Sequence, residues 1–355
     1  MSFKINKSKI GNYCPTYFIA DIAANHDGSI SKAKDLICMA AEAGANAAKF
    51  QNFFAETIVS DLGFRRLKNV KTHQSKWKDS VFNVYKKAET PIEWTPELKK
   101  ECEKNNIDYF TAPYDSEILK YLNRYVSAWK IGSGDLSWIE NVKKISSFKK
   151  PVILATGASE MNEVEKVYKE IIKINKKIVI MQCNTNYTAS KNNFNHINLN
   201  VLKIFKKKFP KCILGLSDHT FGHETVVGAI TLGARVVEKH FTDNNSNTGP
   251  DHYFSMNPRT WKDMIEAARN IEIALGDGIK RVEKNELKSR IVQRRAIYAK
   301  KNIKLGEKIL RKDLILLRPC PNDAISPLLL DKIINKKAKT FIKKNNYLKQ
   351  GSVAK

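Results

Sequence analysis

Eight short β-like runs recur between residues 18 and 240, and most are separated by segments with helical hydrophobic spacing. The runs fall near Phe18 to Ala23, Ala45 to Gln51, Asp108 to Thr111, Ala128 to Ile131, Val152 to Thr156, Ile178 to Cys183, Ile213 to Ser217 and Val236 to His240. Helix signals cover Ser31 to Ala43, Thr95 to Asn105, Ser116 to Leu122, Glu160 to Ile174, Leu199 to Phe209, Glu224 to Leu232 and Thr260 to Leu275. A parallel strand pair needs a crossover, and eight strands close at a size that side chains can fill. The pattern therefore predicts an α/β protein built on a (β/α)8 TIM barrel.

The barrel is expected over residues 1–276, because Gly276, Asp277 and Gly278 stop the last helix. A charged stretch over 277–290 reads as a linker. Residues 291–355 change character, with short β-like pieces, a turn at Gly306 and a Pro-rich turn around Pro319 to Pro327. They predict a small β-rich domain that docks on something, since so short a chain buries little core of its own.

A net charge of +26 raises the question of nucleic acid. The lysines are spread along the chain, however, and the densest runs (Lys206 to Lys208, Lys336 and Lys337, Lys343 and Lys344) lack interleaved aromatic residues. The charge reads as solvated surface that would draw in an anionic small substrate, with neither nucleic acid nor membrane as partner. Six cysteines without CxxC spacing read as reduced thiols. No signal-peptide core and no run long enough to span a bilayer is present, so the expected location is the cytoplasm.

A barrel demands that functional residues gather where its strands end. Asp21, Asn25 and His26 follow the first run, Lys49 and Gln51 share one face of the second, and Thr111 closes the third. Lys130 and Ser133 close the fourth, Thr156 the fifth, and Asn184, Thr185 and Tyr187 follow the sixth. Ser217 and His219 end the seventh run, while Glu238 and His240, again two apart, end the eighth. His219 and His240 lie at equivalent ends of consecutive parallel strands about 4.8 Å apart, so they are placed to share a metal ion. Lysines, hydroxyls and a histidine pair on one rim suit a phosphorylated substrate beside a Lewis acid. His73, His196 and His223 read as packing, capping or surface residues, and so does His26, although a motif surrounds it.

The stretches FIADIAANHDG, AAKFQNF, AWKIGSGD, VILATGAS, GLSDHT, LGARVVEKHFT and GPDHYFSMNP, in this order, resemble the sialic acid (N-acetylneuraminate) synthase family. Its members make nonulosonic acids from phosphoenolpyruvate and an N-acylated amino sugar. The tail resembles that family's antifreeze-like (SAF, β-clip) domain. The resemblance implies a divalent metal, Mn2+ or Mg2+, on His219 and His240. It implies phosphoenolpyruvate against Lys49, Gln51, Thr111, Lys130, Ser133 and Ser217. Asp21, Tyr187, His240 and Asp251 would face the sugar, N-acetylmannosamine or a 2,4-diacetamido-6-deoxy hexose. Arg318 would reach its N-acyl group from the partner in a domain-swapped homodimer. His219, His240, Asp21 and Glu238 are the expected catalytic set, with one of the two carboxylates activating water.

Several positions depart from the family. Asp21 stands where Glu is common, Ala155 where a serine often precedes the threonine, and Asn184 and Thr185 replace the usual order. The segment Asp61 to Trp94, with Phe64, Trp77, Phe82 and Tyr85, reads as an elaboration of the barrel mouth. Two other readings compete: a 3-deoxy-sugar acid phosphate synthase acting on a phosphorylated aldose, and a noncatalytic sugar- or ice-binding protein. The first lacks a recognisable second phosphate site, and the second has no use for two lysines beside two histidines.

Overall fold

The computed structural model describes residues 1–67, 70, 72–188 and 190–354. Eight parallel strands close into a barrel: β1 (Tyr17–Asp21), β2 (Ala47–Asn52), β3 (Asp108–Pro113), β4 (Trp129–Ile131), β5 (Val152–Ala155), β6 (Ile178–Cys183), β7 (Ile213–Asp218) and β8 (Ala234–His240). They pair in sequence order, and β8 returns to β1 with Val236 opposite Tyr17 and His240 opposite Asp21.

Alternation along each strand sorts side chains into two cores. Tyr17, Ile19, Ala47, Phe110, Ile153, Met181, Ile213 and Val236 fill the lumen, while Phe18, Ala48, Phe50, Leu214, Leu216 and Val237 pack outward against the helices. A hairpin of Ser2–Ile5 and Ser8–Gly11 adds Ile5 and Ile10 to the lumen core, so the N-terminal end of the barrel is stoppered by apolar side chains. The helix Ile30–Glu42 shows the outer layer's logic. Ser29 caps it by accepting from the Lys32 amide, and Ala33, Leu36, Ile37 and Ala40 form one buried stripe at helical spacing. Gly233, at φ 102°, makes the turn from helix into β8 where a side chain would be strained.

Contacts divide the chain into two compact units, Met1–Gly276 and Asp277–Lys355. The expected linker is partly ordered: Lys284–Glu286 forms a 3-10 turn and Leu287–Gln293 a helix. Its charges do local work that composition hides. Arg281 pairs with Asp277 at 2.8 Å and with Glu283 at 3.2 Å, and the Glu286 carboxylate caps the Glu283 amide. The second unit is built on an antiparallel pair, Ala296–Ala299 with Leu314–Leu317, around Ile297, Ile303, Ile309, Leu314 and Leu348.

Candidate active site at the C-terminal rim of the barrel

The lumen-facing frame sends Asp21, Lys49, Gln51, Lys130, Cys183, Ser217, Glu238 and His240 to the C-terminal end of the barrel. There they line one cavity of about 740 Å³. Lys49 bonds Asp21 at 2.8 Å and lies 3.9 Å from Glu238, which Lys130 approaches at 3.3 Å. Lys49 is only 2% exposed, yet its pKa is raised: burial opposes its charge, but Asp21 and Glu238 outweigh burial. The longer contacts leave donor capacity on both ammonium groups for an anionic ligand. Beside them Ser133 Oγ accepts from the Gly157 amide at 3.0 Å. A Cβ on Gly157 would sit 2.1 Å from Thr185 Oγ1, so glycine is required there.

His219 and His240 face each other with ring centroids 5.4 Å apart. The Nδ1 of His219 lies 2.9 Å from the Asn184 carbonyl, which as acceptor fixes a proton on that nitrogen and makes Nε2 the nitrogen that titrates. Burial, with His219 and Lys49 adding, holds His240 well below the usual histidine range, so its ring is neutral. Its Nδ1 is buried without a hydrogen-bond partner, as are Asp21 Oδ1 and Glu238 Oε2. Among the described residues no group of three or more His, Cys, Asp and Glu forms a full cage. His219 differs from His240: burial opposes its charge, but Cys183 and the Asn184 carbonyl outweigh burial and raise its pKa. The two rings, once deprotonated, fit a catalytic divalent ion completed by substrate and water.

The Tyr187 ring lies 4.4 Å from His219 and 6.2 Å from His240. Asp251 reaches in from the loop after β8, where Ala24 N–H donates to it at 3.3 Å and Ser255 Oγ donates to its carbonyl at 2.6 Å. Burial, with Asp21 nearby, pushes its carboxyl up to about 6.

Two expected residues stand elsewhere. Thr111 faces away from the lumen, where its hydroxyl donates to Asn52 Oδ1 at 2.7 Å, and it does not line the cavity. Arg318 is exposed on the second unit, just past the strand Leu314–Leu317. The cavity also holds residues that the strand-end rule passed over. His73, read from the sequence as a packing, capping or surface residue, belongs to its wall, with its ring 5.1 Å from Tyr187. Of the aromatic residues singled out in the mouth segment, Trp77 and Tyr85 line the cavity, joined by Phe53, Ile58 and Val84. Phe64 and Phe82 do not line it, and positions 68, 69 and 71 of that segment lie outside the described residues.

Asp135, two residues past Ser133 in the GSGD stretch, is another missed member of the wall. Burial pushes its carboxyl up to about 6 against the pull of Lys130. A carboxyl with a raised folded-state pKa contributes stability that is complete below its unfolded value near 4 and lost as pH rises through about 6. Asp135→Asn should therefore stabilise the ligand-free protein at pH 8 by roughly 2–3 kcal/mol and by almost nothing at pH 4. Denaturant melts at the two pH values check this, and an equal gain at both would overturn it.

A closed barrel with two buried lysines beside paired histidines in a cavity at its C-terminal rim has the architecture of a barrel enzyme. Residues 36–280 match the NeuB family and residues 294–354 the SAF domain, and the chain belongs to the NeuB family. It is 33% identical over 339 residues to the N,N'-diacetyllegionaminic acid synthase of Campylobacter jejuni, covering 94% of this chain and 99% of that protein. It is 34% identical over 352 residues to the pseudaminic acid synthase of the same species, covering 97% and 99%. The solved N-acetylneuraminic acid synthetase of Leptospira borgpetersenii superposes with a TM-score of 0.70 at 27% identity, covering 81% of this chain and 95% of that one.

Proposed function

We propose that this protein is a nonulosonic acid synthase that condenses phosphoenolpyruvate with an N-acylated amino sugar and releases phosphate. The observation that carries the reading is the convergence of buried Lys49 and Lys130 with His219 and His240 on one cavity. Carbon three of phosphoenolpyruvate attacks the open-chain sugar aldehyde, water adds at carbon two, and the carbon-oxygen bond to phosphate breaks to leave a 2-keto acid. Lys49 and Lys130, with Gln51, Ser133 and Ser217, hold the phosphate and carboxylate in place. The unpartnered oxygens of Asp21 and Glu238 are the acceptors available to the attacking water and the sugar hydroxyls. A divalent ion, Mn2+ or Mg2+, held by His219 and His240 would supply polarisation of the sugar carbonyl.

Tyr187, Asp251 and Asp21 meet the sugar in this reading. Among the described residues lining the cavity, Lys49 and Lys130 are the only lysines or arginines, which supports an unphosphorylated sugar. The apolar wall of Phe53, Ile58, Trp77 and Val84 supports a 6-deoxy chain, since burying an unbonded hydroxyl is unfavourable. A phosphate-release panel tests both points. A 2,4-diacetamido-6-deoxy hexose should exceed N-acetylmannosamine in kcat/KM by about 10- to 100-fold, and arabinose or erythrose phosphates should be inert. A preference for a sugar phosphate would sink the reading.

All six cysteines are free thiols, which supports a reducing, cytoplasmic setting. Among the described residues no helix is long and apolar enough to cross a membrane.

Exposed Arg318 is assigned, in the same reading, to the sugar's N-acyl group in the barrel of a second copy, which makes the working unit a homodimer. Arg318→Ala and His240→Ala homodimers should then each be poorly active. Their heterodimer, confirmed by native mass spectrometry, rebuilds one complete site and should exceed both parents. Absence of rescue would reject the exchange and leave the barrel chemistry standing.

A further inference from the structure

Asp218 and Lys239 neighbour the two histidines in sequence but face the opposite way. The outward positions Leu214 and Leu216 on β7 and Val237 on β8, with Phe241 just past its end, pack in the apolar layer between strands and helices. Asp218 and Lys239 continue that face, yet they form an ion pair there, opposite each other across the two strands. Lys239 Nζ donates to Asp218 Oδ2 at 2.5 Å and to the Thr220 carbonyl at 2.7 Å. The Asp218 carboxylate also accepts from Thr225 Oγ1 at 2.7 Å, Thr220 Oγ1 at 2.9 Å and the Thr220 amide at 3.2 Å. Both side chains are at most 1% exposed.

A buried ion pair is a poor source of stability, because an apolar pair of similar volume is often as stable or more so. What this pair adds is direction. Thr220, the residue after His219, is gripped by its amide, its hydroxyl and its carbonyl, so the backbone around His219 is held on both sides. The same ammonium sits on the strand residue between Glu238 and His240. We propose that the Asp218–Lys239 pair is a positioning device that sets His219 and His240 in register for a shared divalent ion. The proposal rests on the metal reading above. Neither residue touches substrate or metal; both act through the histidines, as hydrogen-bonded partners behind metal ligands do.

The test is made on the metal-free full chain, with manganese as probe and without turnover. Asp218→Asn combined with Lys239→Met removes both charges while keeping an oxygen for the threonine hydroxyls and nearly the same volume. Its melting temperature should stay within a few degrees of the parent, while manganese binds about 10-fold or more weakly by calorimetry or electron paramagnetic resonance. Lys239→Arg, which keeps the charge, should recover much of the affinity. A lowered melting temperature with unchanged manganese affinity would mean a purely structural pair and overturn the proposal. If the double variant does not fold, Thr220→Val and Thr225→Val decide. Thr220→Val disturbs the residue bracketing His219 and should weaken manganese more than Thr225→Val; equal and negligible effects overturn the proposal. Loss of the metal reading is separately visible. A parent and a His219→Ala variant with the same manganese affinity would defeat both, whereas affinity lost in His219→Ala and intact in the double variant defeats the positioning role alone.

Discussion

Chelation of divalent cations is expected to abolish phosphate release, and added manganese to restore it. His240→Ala should lower kcat/KM by at least about 10³-fold even with manganese present. The size of the effect follows from the ring's environment. His240 is buried and held neutral, its Nδ1 makes no hydrogen bond, and the carboxylates of Asp21 and Asp251 lie 3.4 Å and 3.8 Å from its two nitrogens, so a cation at this ring would meet an uncharged base beside negative charge. Calorimetric titration with manganese should show the affinity falling in His240→Ala and in His219→Ala. Undiminished turnover after rigorous metal removal would overturn the assignment.

Lys49→Met should have two separable consequences. On the proposed reading the phosphoenolpyruvate site loses one of its two ammonium groups, which should cost about 10³-fold or more in kcat/KM. Asp21 is also left as an unpaired buried carboxylate, which typically destabilises by about 3–5 kcal/mol. Adding Asp21→Asn removes that charge, so the double variant should regain much of its melting temperature while turnover stays lost. Recovery of activity along with stability would mean that Lys49 serves the barrel rather than the phosphate.

Much of the site was legible because the strand-end rule and period-two alternation together name inward residues. Lys49 with Gln51 and Glu238 with His240 sit two apart, and all four line the cavity. Thr111 shows where alternation runs out. Asp108–Pro113 is buried on both faces, so its apolar residues do not reveal which side meets the lumen. The strand also runs past Thr111, and with Phe110 in the lumen core the threonine falls on the outer face. Asp251 is placed by the Ala24 amide, 227 residues away in sequence, and no local pattern carries such a contact. The inward turn of His73 and Trp77 likewise depends on Tyr187 and Tyr85, which tertiary folding brings to them. The N-terminal hairpin escaped because its two four-residue strands are too short for a periodicity to register.

Closure of the ring by its first and last strands has a consequence for how the protein is made. Tyr17 pairs with Val236, more than two hundred residues later, which at ribosomal speeds is a wait of roughly 10–45 s. Throughout that interval the first strand is an open edge, and Ile5 and Ile10 of the hairpin have no finished lumen to stopper. A nascent chain halted before residue 236 presents an unpaired edge and an apolar floor to its neighbours on the polysome. The eighth strand's arrival is the event that covers that edge and completes the lumen above the hairpin.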